Sequence, residues 1–347
     1  MSDDARIFTA DALRFYGDTH HPSTVTEVVS QRPELGSGVK PAELESMAES
    51  AHDEPRQGKT GAFRPAAEFL AEIDPQIDLR GYGPDWIDTL PVPRAIPEDT
   101  GKPLRRLDGR RLVRPFDTTR FPPEERRVYR DAARPWGHVC KLFTSERPDG
   151  AGSAALIGPR IAVTAAHCVP RTSSWWMRVV PAYYDGGSLY GAGVQSYVSD
   201  WRAFDSGDEV CGYDWAVLRL YEPLGDGVGY FGVNGYDDDW EDRPYWTTAG
   251  YPSAINSQRP SYQMGVSVFD DDSDSNGGME LETRADLGPG NSGGPLWGQW
   301  GGDWRVLGVV SGEEYDWAVG GGEWGNVVAS GSGFGNLVAW ARTNWPL

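Results

Sequence analysis

Beyond about residue 135 the apolar residues fall in short runs cut by glycines and turn residues, not at helical spacing. His138-Val139-Cys140-Lys141-Leu142-Phe143 alternates weakly and reads as a strand, followed by Gly152 to Gly158 and Arg160 to Thr164. Trp246 to Pro252, Gly265 to Val268, Met279 to Thr283, Pro295 to Trp300 and Arg305 to Ser311 read as further strands. Only Asn336 to Arg342, near the end, carries a helical pattern. Many short strands separated by turns predict an all-β body.

Residues 1 to about 110 differ in texture: polar, rich in Pro and charge, and only patchily apolar. Pro41 to Ala48 and Pro65 to Ile73 each read as a short helix with proline at its first position. Ser50 to Gly61 reads as a mobile loop, and Pro91 to Arg94 with Pro97 to Gly101 as extended linker. This region is either a pro-segment that silences the rest, a docking arm for a regulatory partner, or a tail without a role. Arg105 to Pro115 is a basic cluster in an acidic chain, and reads equally as a processing site or as a partner for acidic groups of the body.

The 347 residues suffice for a large core. A net charge of −19 argues against nucleic acid and against anionic membrane surfaces as partners. No run approaches the length of a membrane-spanning helix. Met1 to Thr24 lacks a basic start followed by an apolar core, which points to the cytoplasm or to export without a Sec-type signal. Trp297, Trp300, Trp304, Trp317 and Trp324 cluster late, and sheet and loop packing is the expected use. No CxxC or HExxH spacing occurs, so neither metal nor other cofactor is expected.

The candidate chemistry centres on Gly290-Asn291-Ser292-Gly293-Gly294-Pro295. A serine between glycines suits a nucleophile on a tight loop, because glycine takes backbone angles that aim successive N–H groups into one space. Such donors stabilise a developing oxyanion. Serine is a weak nucleophile and needs a base, which itself needs an orienting group. His167, in Thr164-Ala165-Ala166-His167-Cys168, is the candidate base, and Asp214, heading Asp214-Trp215-Ala216-Val217-Leu218, the candidate orienter. Asp205 and Asp208 are weaker candidates because no apolar strand follows them.

These three motifs, in the order His, Asp, Ser, resemble those of the trypsin/chymotrypsin-like serine peptidases. His167 and Asp214 stand 47 residues apart and Asp214 and Ser292 stand 78 apart, which is similar to the compact bacterial branch near the glutamyl endopeptidases. The resemblance covers about residues 110–347. It implies two six-stranded antiparallel β-barrels with a closing helix: barrel 1 over about 135–225, barrel 2 over about 226–335, and the helix over about 335–343. Residues 1–110 stand before this peptidase domain at 111–347. The implied activity is serine endopeptidase action on protein or peptide substrates through an acyl-enzyme. The alternatives are a silent peptidase-like binding module and an intracellular peptidase whose access a partner of 1–110 controls.

By the same resemblance, Ser292 attacks, His167 moves the proton, Asp214 fixes the imidazole, and the N–H groups of Gly290 and Ser292 form the oxyanion hole. Asn291 stands where relatives activated by cutting carry an aspartate that pairs with the new chain end, and it carries no charge. The glutamyl branch uses a Thr and a His to hold a substrate carboxylate. Leu287 and Val310 occupy those places, which argues against strict Glu specificity. Asp286 stands where trypsin-like enzymes keep an acid at the pocket base, and Ser311 and Glu313 lie along the expected pocket wall and mouth. These acids predict cleavage after Arg or Lys, with Asp286 the main determinant. The cysteine after the histidine pairs, in animal relatives, with one 16 residues earlier, which is Gly152 here. The expected bridge is therefore Cys140–Cys168, leaving Cys211 free, unless all three are reduced.

Overall fold

The computed structural model describes residues 42–49, 54–64, 68–69, 72–93, 95–96, 121, 125–205, 211–253, 259–316 and 323–345. The basic cluster at 105–115, most of the helix expected at 65–73, and Trp317 lie outside them. In chain order the strands are β1 (Thr60–Phe63), β2 (Ala95–Ile96), β3 (Arg127–Tyr129), β4 (Val139–Thr144), β5 (Arg147–Gly158), β6 (Ile161–Thr164), β7 (Met177–Pro181), β8 (Tyr183–Tyr184), β9 (Gly187–Ser188) and β10 (Ser196–Ala203). There follow β11 (Ala216–Leu220), β12 (Gly232–Val233), β13 (Trp246–Gly250), β14 (Ser261–Val266), β15 (Val268–Ser273), β16 (Met279–Thr283), β17 (Pro295–Trp300), β18 (Asp303–Asp316) and β19 (Glu323–Ser330). Among the described residues the α-helices are few: α1 (Ala42–Glu49), α2 (Leu224–Val228) and the closing α3 (Ser332–Asn344).

Strands β10, β11, β6, β5, β4 and β7 pair in that order, and β10 pairs back onto β7, so six antiparallel strands close a barrel. The second sheet runs β15, β16, β19, β18, β17, β13, β14, β3, β2. Its β14 and β15 are joined through the single residue Ser267, which brings the two arms of the sheet together. This is the expected mostly-β double-barrel architecture with a C-terminal helix.

The weak alternation of the early strands has a simple cause. Along β5, Ala154 and Leu156 point into the first barrel's core, while Ala155 and Ile157 point into a core shared with the second barrel. Successive side chains of a strand face opposite ways, so a strand buried on both faces is apolar at every position. The shared core holds Trp136, Val163, Trp215, Val217, Trp297, Val306 and Val309. Trp297, Trp300 and Trp304 are all buried.

The described residues between 42 and 96 are built into this body. Residues 54–61, expected to be mobile, are hydrogen-bonded: Gly58 N–H donates to Trp175 O, Lys59 N–H to Ser199 O, and β1 pairs in parallel with β10. Leu44, Phe69, Trp86 and Ile87 are buried, and each apolar side chain so placed contributes about 1.5–3 kcal/mol relative to exposure. Phe69 packs edge-on against Phe204 and Trp340. Arg342 of α3 donates to the carbonyls of Asp78, Arg80, Ile157 and Phe231, pinning this segment to the first barrel.

Candidate active site

His167 follows β6 on a single 3-10 turn, Ala166–Cys168, closed by Cys168 N–H to Ala165 O. Its Nδ1 lies 2.6 Å from Asp214 Oδ2, and its backbone N–H donates to Asp214 Oδ1 at 2.9 Å. Ser311 Oγ donates to Asp214 Oδ2 at 2.6 Å. Asp214 is fully buried, so a charged carboxylate there depends on donors of this kind. Burial alone pushes the His167 imidazole toward its neutral form. The charge and hydrogen bond of Asp214, helped by Cys168, outweigh it and hold the pKa well above the ordinary histidine value. His138 contrasts with it. Burial, with Arg134 nearby, pushes its pKa down to about 3, and Nε2 sits 3.1 Å from Val228 O, as a neutral structural histidine would.

Ser292 sits on the loop before β17 and is 7% exposed. Gly290 (φ 99°) and Gly293 (φ 78°) occupy the left-handed region, which favours glycine. A Cβ on Gly293 would stand 2.1 Å from Thr164 Oγ1 and 2.4 Å from Ser153 O, so the loop rests directly on the first barrel. Ser153, which sequence reasoning missed, clamps the loop twice: its N–H donates to Ser292 O at 2.8 Å and its Oγ to Gly290 O at 2.8 Å. Asn291 closes the turn, with Oδ1 accepting from Gly288 N–H at 3.1 Å and N–H donating to Gly288 O at 2.9 Å.

Residues flanking His167 and Ser292 meet across the barrel interface. Cys168 Sγ lies 3.9 Å from Ser292 O, and Gly293 N–H donates to Val310 O, next to Ser311. The structure thus brings His167, Asp214 and Ser311 together and holds the Ser292 loop against the same neighbourhood. Asp205 instead pairs with Arg171 on an exposed edge, and Asp208 lies outside the described residues.

One expectation is corrected. The Cys140–Cys168 bridge is absent: all three cysteines are free. The register of β4 on β5 opposes Cys140 to Ala154 and Leu142 to Gly152. Cys168 faces Gly152, whose Cβ would be 3.1 Å from its Sγ, while Cys140 sits two residues along, about 7 Å away on this pleat. Asp286, expected at the pocket base, has partners within the chain. It is 1% exposed, and its two oxygens accept the backbone N–H groups of Phe121 at 2.6 Å and Glu125 at 2.7 Å. Ser311, expected along the pocket wall, also hydrogen-bonds Asp214.

Leu287 and Val310 belong to the second barrel's apolar cluster with Trp246, Leu281, Leu296 and Val328. Glu313 on β18 is 9% exposed and stands opposite Asn326 in the register. Behind Asp214, Gly212 N–H donates to Asp274 Oδ2 at 3.0 Å and to Glu280 Oε1 at 3.1 Å. Burial first, then the neighbouring Glu314 and Asp274, pushes the Glu280 carboxyl pKa up to about 9. Among the described residues, no group of three or more His, Cys, Asp or Glu is placed to hold a metal ion, and no helix is long and apolar enough to cross a membrane.

The trypsin family model matches residues 127–323. The chain belongs to the trypsin family. The match spans the His167, Asp214 and Ser292 motifs but not the N-terminal segment packed on the barrels. The chain is also 27% identical over 159 residues to the glutamyl endopeptidase of Bacillus licheniformis, across 40% of this chain and 48% of that protein. It therefore spans about half the length of the curated relative it matches. Among solved structures, a Glu endopeptidase in complex with MPD is 18% identical with a TM-score of 0.50, covering 65% of this chain and 99% of that one. The protease Anisep from Arthrobacter nicotinovorans is 18% identical at a TM-score of 0.44, covering 62% and 99%. At 18% identity the first of these bears on the fold alone.

Proposed function

We propose that this member of the trypsin family is a serine endopeptidase with His167, Asp214 and Ser292 as its triad. The observation that carries the reading is the Asp214 carboxylate, which takes His167 N–H, the His167 ring and Ser311 Oγ together. That arrangement puts the ring proton on Nδ1 and leaves Nε2 to act as base. Ser292 Oγ adds to the substrate carbonyl while His167 takes its proton. The oxyanion is met by the N–H groups of Gly290 and Ser292. His167 then returns the proton to the leaving amine as the C–N bond breaks, and water repeats the sequence on the acyl-enzyme.

The relative's name specifies cleavage at glutamate, and this chain does not share the groups for it. Leu287 and Val310 are apolar and given to the barrel core, and the carboxylate of Asp286 is already engaged by backbone donors. We therefore read the site as one selecting neither Glu nor Arg and Lys strictly.

Intact-mass measurement with a serine-directed fluorophosphonate tests the proposal. One adduct per chain, mapped to Ser292, is expected, with none on Ser292→Ala and no peptide or ester hydrolysis by that variant. Full turnover by Ser292→Ala would end this reading.

A further inference from the structure

We infer that Asp286 is a positioning residue that ties the Ser292 loop to the backbone at Phe121 and Glu125, so that the site is assembled in the uncut chain. The inference rests on the peptidase reading above. A buried carboxylate at this place has to be satisfied. Phe121 N–H reaches Oδ1 at 2.6 Å and Glu125 N–H reaches Oδ2 at 2.7 Å. Charged acceptors make such bonds short and strong.

The tie is doubled by Gln263 of β14. Its Oε1 accepts Asp286 N–H at 2.6 Å, and its Nε2 donates to Glu125 Oε2 at 3.0 Å. Beyond Glu125 the buried Arg126 reaches the loop, with Nη1 3.5 Å from where a Cβ on Gly288 would lie. The chain then enters β3, which pairs with β14. Two residues after Asp286, Gly288 holds Asn291 by a pair of hydrogen bonds, and Asn291 precedes the nucleophile. A displacement of Asp286 therefore passes to Ser292 through the two hydrogen bonds between Gly288 and Asn291 and very little chain.

The donors on Asp286 are backbone N–H groups within a continuous chain, not an ammonium at a new end. An ammonium made by cutting would meet no carboxylate at Asn291. A cut in the basic run 105–114 would leave Phe121 and Glu125 still attached to β3, so it would neither make nor break the tie. The site then needs no activating cut, and the carboxylate resembling a specificity determinant sets loop geometry instead.

The test uses the full chain and compares wild type with Asp286→Asn and Glu125→Pro. The first keeps the shape but turns one acceptor into a donor facing an N–H, and the second deletes one N–H together with the carboxylate that accepts from Gln263. The readings are the rate of fluorophosphonate labelling at Ser292 and kcat/KM on substrates with Arg, Glu or Leu before the scissile bond. Near-UV circular dichroism checks that each variant is folded. Wild-type adduct is expected on the uncut 347-residue chain. Each variant is expected to label about 10²-fold more slowly, as a misplaced nucleophile does. The three substrates should suffer by a common factor, and the double variant should be little worse than either single one.

A loss confined to the Arg substrate would overturn the inference by showing that Asp286 reads the substrate. Adduct only on a chain starting beyond residue 115, or a folded Asp286→Asn labelling at the wild-type rate, would overturn it too. Should Glu125→Pro not fold, Asp286→Asn alone decides. A wild type that never labels would instead bring down the peptidase reading and this inference with it.

Discussion

Gly152→Cys should create the bridge that this chain lacks. A Cβ at 152 would lie 3.1 Å from Cys168 Sγ, and a C–S bond followed by an S–S bond spans about 3 Å, so Cys168 needs almost no movement to bond. Closing residues 152 to 168 into a loop contributes about 3 kcal/mol through the unfolded state. Against that, the same Cβ would stand 2.8 Å from Ser292 O, a crowding that costs about 1–3 kcal/mol. The oxidised variant should therefore be about 0–2 kcal/mol more stable than wild type. The reduced variant should fall below wild type by the crowding alone, and Gly152→Ala should reproduce that loss. Denaturant unfolding of the oxidised and reduced forms separates the two contributions. Thiol titration gives the bond count: wild type has three thiols, and the oxidised variant should show two. The reasoning fails if oxidation leaves all four thiols titratable, or if peptide mapping finds the bridge on Cys140. It also fails if the reduced variant matches wild type, because Ser292 O would then not be fixed by the Ser153 N–H.

Asp214→Asn should lower kcat/KM at neutral pH by about 10⁴-fold. Because Asp214 is what raises the His167 pKa against burial, the acid limb of the pH–rate profile should also move to lower pH, and an unmoved limb would refute that assignment. Glu280 holds its proton in the folded state to about pH 9, above its ordinary value of 4.5. The folded state therefore binds the extra proton between those values, and the stability so gained is present below pH 4.5 and lost as pH rises toward 9. Glu280→Gln should flatten that decline and raise Tm at the alkaline end. Parallel Tm–pH curves for the two proteins would show that Glu280 ionises freely.

How much was legible depends on how local the cause was. The strand positions, the closing helix and the three motifs proposed as the triad are written in short stretches of sequence. A glycine-flanked serine, a histidine after an apolar strand and an aspartate heading another each carry their own local reason. The missed residues act only through partners far along the chain. Ser153 reads as an ordinary strand serine until the fold sets it against Gly290 and Ser292. Ser311 became a donor to Asp214 across 97 residues. The N-terminal segment read as loosely attached because its apolar anchors are few, yet Phe69 and Trp86 each find a prepared site on the barrels.

The sequence by itself determined that the chain forms a β body and carries a serine, a histidine and an aspartate in the family order, because pleat alternation and turn chemistry are settled within a few residues. Only the tertiary structure decided which cysteine faces which strand position, and which atoms satisfy Asp286. A shift of two residues in register moves a side chain by about 7 Å, which is enough to separate Cys140 from Cys168. A carboxylate also looks the same in sequence whether it awaits a substrate or is bound by its own backbone. That distinction lies in the directions of two N–H groups, contributed by residues more than 160 positions away.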